Sequence, residues 1–519
     1  MQGDCGRSTR PFGNYRLFAA AVVVVFLTGF LTIGFAPPAQ ALPSFARQTG
    51  QPCGTCHTSF PGLTPFGRRF KLLGYTTGGG PYRTTPFSNN KGAQDAYGEL
   101  RSYAARIDGN ADAPTAAPAG ERGWVPPISM MAIVGFTHTQ ADIPAPTDPY
   151  HPNDNTVLTP FSGFWGGAIT SNIGAFAQVT YNAPGPVSSL SGTPADQFLH
   201  SWTWDNTDVR FADTARIGSL DLIYGITANN NPTVQDLWNT TPAWTFPFAA
   251  SNLASTPAAK TIIEGAFAAH VGGVGAYAMI NDMLYLEATG YQTLRFSQQN
   301  SLGVDPFASP GLFSGVAPYW RVAFEPHWGP HTFMLGTYGM MFNVNPWIDS
   351  SFVLGTTGTL SLVDRFTDIG FDSQYQYQGS NYWVTLRANY IREFQRLDAS
   401  FPTGASANPT NLLNTLRLTG EVTFGGDNRF ALTGQYFNVW GTPDSNLFSV
   451  GSGFGNNSPD SNGWMVELDY IPFGASKAPG WPWFNAKIGL QYIYYNKFNG
   501  TTVGAQDNNT LFLHAWFAM

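Results

Sequence analysis

Three residues with chemistry to offer stand together near the start of this 519-residue chain, in the run Cys53-Gly-Thr-Cys56-His57. Two thiols three positions apart can reach the two vinyl groups of one porphyrin and form thioethers. The adjacent imidazole is then held beneath the iron as its proximal ligand. This is the attachment sequence of one covalent haem c. The other cysteine, Cys5, lies far upstream, so the rival use of Cys53 and Cys56 is a redox disulfide beside an incidental histidine. No thioredoxin-like βαβ pattern surrounds the pair, which favours haem. The next residues mix aromatics with a basic cluster. Phe60, Phe66, Phe70 and Tyr75 are candidates to wall a porphyrin. Arg68, Arg69 or Lys71 could pair with its propionates, because carboxylates suit the guanidinium fork. The plain alternative is a short amphipathic helix whose cations face solvent.

The elements around this motif give its address. Residues 1–41 carry Arg7, Arg10 and Arg16, then an apolar stretch from Leu17 to Ala36, then Pro37-Pro38 and the Ala39-Gln40-Ala41 cleavage pattern. That is a three-part secretory signal, with an uncleaved inner-membrane anchor as its rival. The whole chain has a formal net charge of −7, and only Asp4 of its acidic residues falls in the signal, so the exported part is more acidic still. No basic patch of the kind that holds nucleic acid is present. Residues 42–94 are expected to form a haem-binding head and 95–126 a Gly/Pro/Ala-rich linker or plug segment. A head that small cannot build much of a core around a cofactor, so a partner surface is required. The rest of the chain could supply it.

Residues 127–519 read as that surface. Only 11% of the chain is charged while 15% is aromatic, an unusual balance for a soluble domain. Beyond residue 41 no apolar run approaches the ~20 residues a spanning helix needs. Instead, apolar and polar residues alternate: Leu416, Leu418, Val422 and Phe424 against Arg417 and Glu421; Trp464, Val466, Leu468 and Tyr470 against Glu467 and Asp469. Ala486, Ile488, Leu490, Tyr492 and Tyr494 alternate in the same way with Lys487 and Gln491. Charge on one face and apolar groups on the other fit a lipid-facing exterior and a wet lumen. Short turns are expected at Ser171-Asn172, Thr214-Ala215, Asn281-Asp282, Gly329-Pro330, Gly379-Ser380, Gly426-Asp427 and around 473–483. Eight long connections separate them, near 142–158, 183–198, 229–261, 295–316, 345–363, 395–411, 440–462 and 498–508. Fifteen connections make sixteen strands: an all-β, sixteen-stranded antiparallel outer-membrane barrel with short periplasmic turns, the haem segment lying on the periplasmic side or in the lumen. The chain ends in alternation, Leu511, Leu513, Ala515, Phe517 and Met519, as a closing strand should. The sixth haem ligand is open among His138 on the first expected barrel strand, Met130, Met131 and His270, with His138 put forward first.

Three stretches carry a resemblance: Ala41 to Thr49, Cys53-x-x-Cys56-His57, and Phe66-Gly-Arg-Arg-Phe70-Lys-Leu-Leu-Gly-Tyr75-Thr. Together they resemble the outer-membrane cytochrome–porin fusions that take electrons from extracellular ferrous iron. The likeness is sharpest over residues 42–76 and only architectural over the barrel. It implies a mono-haem head plugging a sixteen-strand porin and passing electrons from an extracellular reductant such as Fe(II) to a periplasmic carrier, a cytochrome or cupredoxin. The residues that carry over are Cys53, Cys56 and His57. Two other readings stay open: a haem-containing porin for solute passage, and a periplasmic sheet protein with an incidental haem. No catalytic triad, P-loop or dinucleotide-binding glycine pattern occurs, so no catalytic residues beyond electron transfer are expected.

Overall fold

The structure, a computed structural model of the chain, describes residues 43–49, 51–76, 127–143, 150–170, 172–181, 202–241, 248–346, 362–475 and 481–519. The expected signal, the 95–126 linker and the last part of the head (77–94) lie outside these residues. Among the described residues no helix is long and apolar enough to cross a membrane; strands do the crossing.

The strands are β1 (Ile128–Thr139), β2 (Asn155–Ala168), β3 (Ile173–Tyr181), β4 (Trp202–Ile217), β5 (Leu220–Asn229), β6 (Val271–Ile280), β7 (Leu284–Thr293), β8 (Gly311–Phe313) and β9 (Ala317–Phe324). They continue as β10 (His327–Trp328), β11 (His331–Pro346), β12 (Asp364–Gln378), β13 (Tyr382–Leu397), β14 (Thr410–Phe424), β15 (Phe430–Gly441), β16 (Ser461–Tyr470), β17 (Asn485–Lys497) and β18 (Thr510–Ala518). Neighbours pair antiparallel, and β1 pairs with both β2 and β18, which closes the sheet on itself. The segments β8, β9 and β10 all pair with β11, end to end, so they share one wall position and the barrel has sixteen. Closure leaves no edge, which is the condition for a sheet in lipid, where an unpaired N–H or C=O finds no water.

The turns follow from local chemistry. Asn281 and Asp282 join β6 to β7 with φ of 50° and 61°, the doubly left-handed pair of a type I′ hairpin. The expected turn at Thr214-Ala215 is corrected: both residues lie within the 16-residue β4, and the chain reverses at Gly218-Ser219, where Gly218 takes φ 64°. Threonine and alanine have no preference for that conformation; glycine does. Six of the seven connections at one end of the barrel are tight turns, the exception being β16–β17 (471–484), and the other end carries the remaining, long connections.

Side chains alternate as a membrane barrel requires. On β13, Thr385, Arg387, Asn389 and Glu393 are buried inside, while Leu386 and Phe394 face out. Exposed aromatics gather at the short-turn end of the outer surface, among them Phe324, Trp328, Tyr382, Phe424, Phe430 and Tyr470. Trp202, Phe394 and Trp464 mark the other end, so aliphatic residues such as Leu418 and Val466 lie between two girdles. Leu418→Arg is therefore expected to lower the unfolding free energy by about 2–4 kcal/mol, the cost of a cation near the bilayer midplane. Urea titration of the barrel folded into lipid vesicles measures it.

Candidate functional site

Residues 43–49 and 51–76 fold inside the barrel, at its short-turn mouth. Three short helices build this insert: α1 (Pro43–Thr49), α2 (Cys53–Cys56) and α3 (Pro65–Leu72). Thr64 caps α3, its Oγ accepting from Gly67 N at 3.1 Å, and Pro65 opens the first turn, where a missing N–H costs nothing. Gly67 is required by packing: a Cβ there would sit 2.3 Å from Cys56 O. The close approach lays α3 directly on the Cys-x-x-Cys turn. Between the two helices, residues 57–64 form a tight loop in which Thr58 N donates to Gly62 O (2.9 Å) and Thr64 N to Cys56 O (3.0 Å).

This loop sets the histidine. His57 Nδ1 lies 3.3 Å from Pro61 O. With the proton on Nδ1 that nitrogen donates to the carbonyl, and Nε2 keeps a lone pair, the arrangement that presents an imidazole to a metal. Burial lowers the His57 pKa, which favours the neutral, ligating ring. No disulfide joins the two thiols, and burial pushes Cys53 up to about 11 and Cys56 up to about 12, with the Cys53 charge adding to the latter. Cys53, Cys56 and His57 all border one open cavity with about 1840 Å³ of empty space, its solvent-filled mouth included. Its walls come from both parts of the chain. The insert gives Phe45, Phe60, Phe70 and Tyr75, and the barrel gives Met131, Phe164, Phe176 and Trp516. Phe45 stacks on Tyr75 with ring centres 5.6 Å apart and meets Phe70 edge-on at 5.0 Å.

The expected aromatic wall is thus present at Phe60, Phe70 and Tyr75, but Phe66 does not border the cavity. Of the expected propionate partners, Arg68 and Arg69 are placed elsewhere, while Lys71 borders the cavity. Arg68 points into the barrel wall, with Nε 3.1 Å from Glu325 and Nη1 donating to Gln376 Oε1 at 2.6 Å. Arg69 reaches Asp282 in the β6–β7 turn, at 2.7 Å. The face of α3 that carries them looks away from the cavity, and the arginines act as clamps. Lys71 donates to the Asp236 carbonyl at 2.8 Å, and burial, with Arg210 nearby, brings its pKa down to about 8. Tyr75 OH donates to Asp208 at 2.6 Å, and Asp208 is a buried residue of β4 paired with Arg210.

His138 is corrected on strand parity. Met131, Ile133 and Thr137 of β1 face inward, so His138 faces out, at the long-loop end, half exposed and 2.7 Å from Asp154. That pair is worth little, as exposed ion pairs are. His270 is buried in the β5–β6 connection against Gln299 and does not border the cavity. Of the other candidates, Met131 is buried at the cavity edge and Met130, its outward neighbour, also touches it.

Several site residues were not singled out from sequence. Arg387 of β13 and Arg417 of β14 border the cavity from the wall. Arg387 has Nε on Gln374 at 2.9 Å and a buried Nη2 without a hydrogen bond; Arg417 pairs with Glu264 at 3.1 Å. The connection from β5 to β6 also turns into the lumen. Its backbone N–H groups at Ile262 and Ile263 donate to Glu393 and Asp368 at 2.6 and 2.8 Å, and Arg321 of the wall pairs with its Asp236 at 3.6 Å. Inward parity was readable for all these wall residues; their depth relative to the insert was not.

No family model matches this chain, and no curated protein matches it. Among solved structures it is similar to OmpF of Salmonella typhi in complex with daunomycin, at 10% identity over 76% of this chain and 97% of that one, with a TM-score of 0.42. It is similar also to OprB of Pseudomonas putida (11% identity, 75% and 92% covered, TM-score 0.40) and to the outer membrane channel DcaP of Acinetobacter baumannii (10%, 76% and 96%, 0.40). Likeness at this level carries no argument; the closed strand order and the lipid-facing girdles do. The chain is an outer-membrane β-barrel. The insert lies at the mouth that faces the periplasm, since short turns are periplasmic.

Two outcomes follow from this geometry. In folded, haem-free protein, alkylation of Cys53 and Cys56 is expected to stay slow where an ordinary thiol, of pKa ~8.5, reacts readily, because a raised pKa leaves less thiolate at any given pH. The rate should climb only as the pH nears about 11 for Cys53; mass spectrometry across a pH series reads it. Glu325→Ala strips the partner from a buried Arg68, at a cost of about 3–5 kcal/mol. The insert should then undock and alkylation at pH 8 should quicken.

Proposed function

We propose that this protein is a c-type cytochrome of the outer membrane that passes electrons between an extracellular donor and periplasmic carriers through one haem c held in the lumen cavity. The observation that carries the reading is the meeting of Cys53, Cys56 and His57 on one cavity, with the Nδ1 side of the imidazole turned to Pro61 O. The residues present fit the group. Cys53 and Cys56 on one helical turn would bind it covalently, and His57 Nε2 would be its proximal ligand. The aromatic walls suit a flat apolar macrocycle, while Arg387 offers its unpaired Nη2 to a propionate. Met131 is a sixth-ligand candidate facing the cavity. When bound, haem supplies a one-electron couple whose potential is tuned by axial ligation and burial. The chain's own residues hold it, exclude lipid and bulk water from it, and keep it near the periplasmic mouth, within reach of a soluble cytochrome or cupredoxin. The resemblance to the cytochrome–porin fusions supports this reading and points to ferrous iron as donor, which would make the protein an Fe(II)-oxidising electron-transfer protein.

The second reading, a haem-containing porin for solutes, draws on the polar inner face of a sixteen-strand barrel, a size that can hold an aqueous channel. The insert and the inward β5–β6 connection oppose it, because both take up space in the lumen.

Visible spectra of outer membranes test the first reading. A c-type band is expected, absent from the Cys53→Ser/Cys56→Ser variant and reduced in closed cells by added ferrous iron. No band at all would overturn it; a band reduced by dithionite and not by ferrous iron would remove iron as donor. Planar-bilayer conductance separates the two readings. The full chain is expected to pass little current, and a chain lacking residues 43–76 several times more; large currents from the full chain would favour solute passage.

A further inference from the structure

A second cluster of ligating side chains lies in the lumen wall behind the insert. Glu467 and Asp469 of β16 and His514 of β18 all point inward and are buried. Their register is set by the strand between them. Asp469 lies opposite Gly489 of β17, and Gly489 lies opposite His514, so the three residues form one row across three strands. The ligand atoms of Glu467, Asp469 and His514 all fall within 4.8 Å of one another.

The middle of that row is a glycine, and its missing side chain is what opens the site. A Cβ on Gly489 would sit 2.6 Å from His514 Nε2 and 2.7 Å from Asp469 Oδ1. Imidazole and carboxylate therefore turn toward the same small space. Neither ring nitrogen of His514 makes a hydrogen bond, and neither does Asp469 Oδ1, although His514 is 1% exposed. Buried polar atoms without a hydrogen-bond partner are costly to leave so. Their convergence calls for a ligand that accepts two lone pairs.

Lys487 is the cation already present; it shares Glu467 Oε1 with the site but leaves Asp469 Oδ1 and the His514 nitrogens to another partner. Its Nζ lies 3.1 Å from Asp469 Oδ2 and 3.5 Å from Glu467 Oε1. Gln491 donates to Glu467 Oε2 at 2.6 Å, and Ser59 Oγ of the insert donates to Asp469 Oδ2 at 3.3 Å. These contacts orient the carboxylates as an outer shell does around a metal site. They leave His514 Nε2 and Asp469 Oδ1 free, with Glu467 Oε1 3.9 Å from His514 Nε2. One imidazole and two carboxylates suit a divalent first-row transition ion better than calcium or magnesium, which take oxygen ligands.

We propose that His514, Asp469 and Glu467 bind one divalent first-row transition ion in the lumen wall, in the space Gly489 leaves. The site rests on its own geometry and holds whether or not Cys53 and Cys56 carry haem. Zinc is the probe. Full-length folded protein is stripped with a chelator, titrated with Zn(II), desalted and analysed for metal. One zinc per chain is expected. Gly489→Ala fills the space without removing a ligand, and His514→Gln removes the nitrogen; each should weaken binding at least tenfold. The heat-dependent gel shift of a folded barrel shows that each variant is folded. The Cys53→Ser/Cys56→Ser variant should keep its zinc, which separates this site from thiol binding at residues 53–57. The proposal is overturned if the folded chain retains no zinc, if Gly489→Ala and His514→Gln bind it as well as the parent, or if only the cysteine variant loses it.

Discussion

Closure of the β1–β18 seam is the constraint on which everything else depends. In hydrocarbon no water can satisfy an unpaired strand edge, so the sheet must return to its first strand. Here the seam runs nine residue pairs, from Met131 opposite Ala518 to Thr139 opposite Thr510. Once the sheet is closed, the side-chain period of two divides every strand between lipid and lumen. Leu418 is committed to the outside by the same alternation that commits Arg417 and Thr419 to the inside. A sixteen-strand circumference then leaves a lumen too wide for its own side chains to fill. The insert and the β5–β6 connection are the chain's answer to that width.

The way they are held follows from what a lumen wall offers. Its inner face is polar, so docking is done by charge: Arg68 with Glu325, Arg69 with Asp282, Tyr75 with the Asp208–Arg210 pair. Buried pairs of this kind stabilise little over an apolar isostere, but they are costly to break singly. They therefore specify one seat for the insert more than they add to its affinity. The seat lies at the short-turn end because the partners do. Asp282 is in a turn itself, and Gly54 N donates to Ala475 O in the β16–β17 connection at 2.8 Å.

Local signals were legible in the sequence and long-range ones were not. The alternation around Glu467 and Lys487 and the Asn281-Asp282 turn both act within a few residues, and each lies where such chemistry puts it. The strand count came from connection lengths, even though one strand is interrupted between Phe313 and Ala317. Parity could also have placed His138: counting by twos from Met131 and Ile133 turns it to the outside. Arg68 and Arg69 were a different matter. A basic cluster on a short helix reads equally well as a propionate site, a solvated face or a clamp. The choice is made by Glu325, some 250 residues away, which only the closed barrel brings near. Arg387 and Arg417 were legible as inward residues, but nothing local gives their height on the wall.

The small size of the insert links its chemistry to the barrel. An insert of this length makes one side of a pocket: a helical turn with two thiols, a tethered imidazole and four aromatic rings. A porphyrin needs the other side covered as well, since solvent at an open face would raise the local dielectric and weaken control of the iron's potential. That second side comes from the wall, through Met131, Phe164, Phe176 and Trp516. In the proposed reading the barrel is thus half of the cofactor pocket as well as the route through the membrane. Gly67, whose missing side chain lets α3 lie on Cys56, and the Arg68–Glu325 clamp then serve one purpose: they fix the motif-bearing turn at the depth where the wall can complete it.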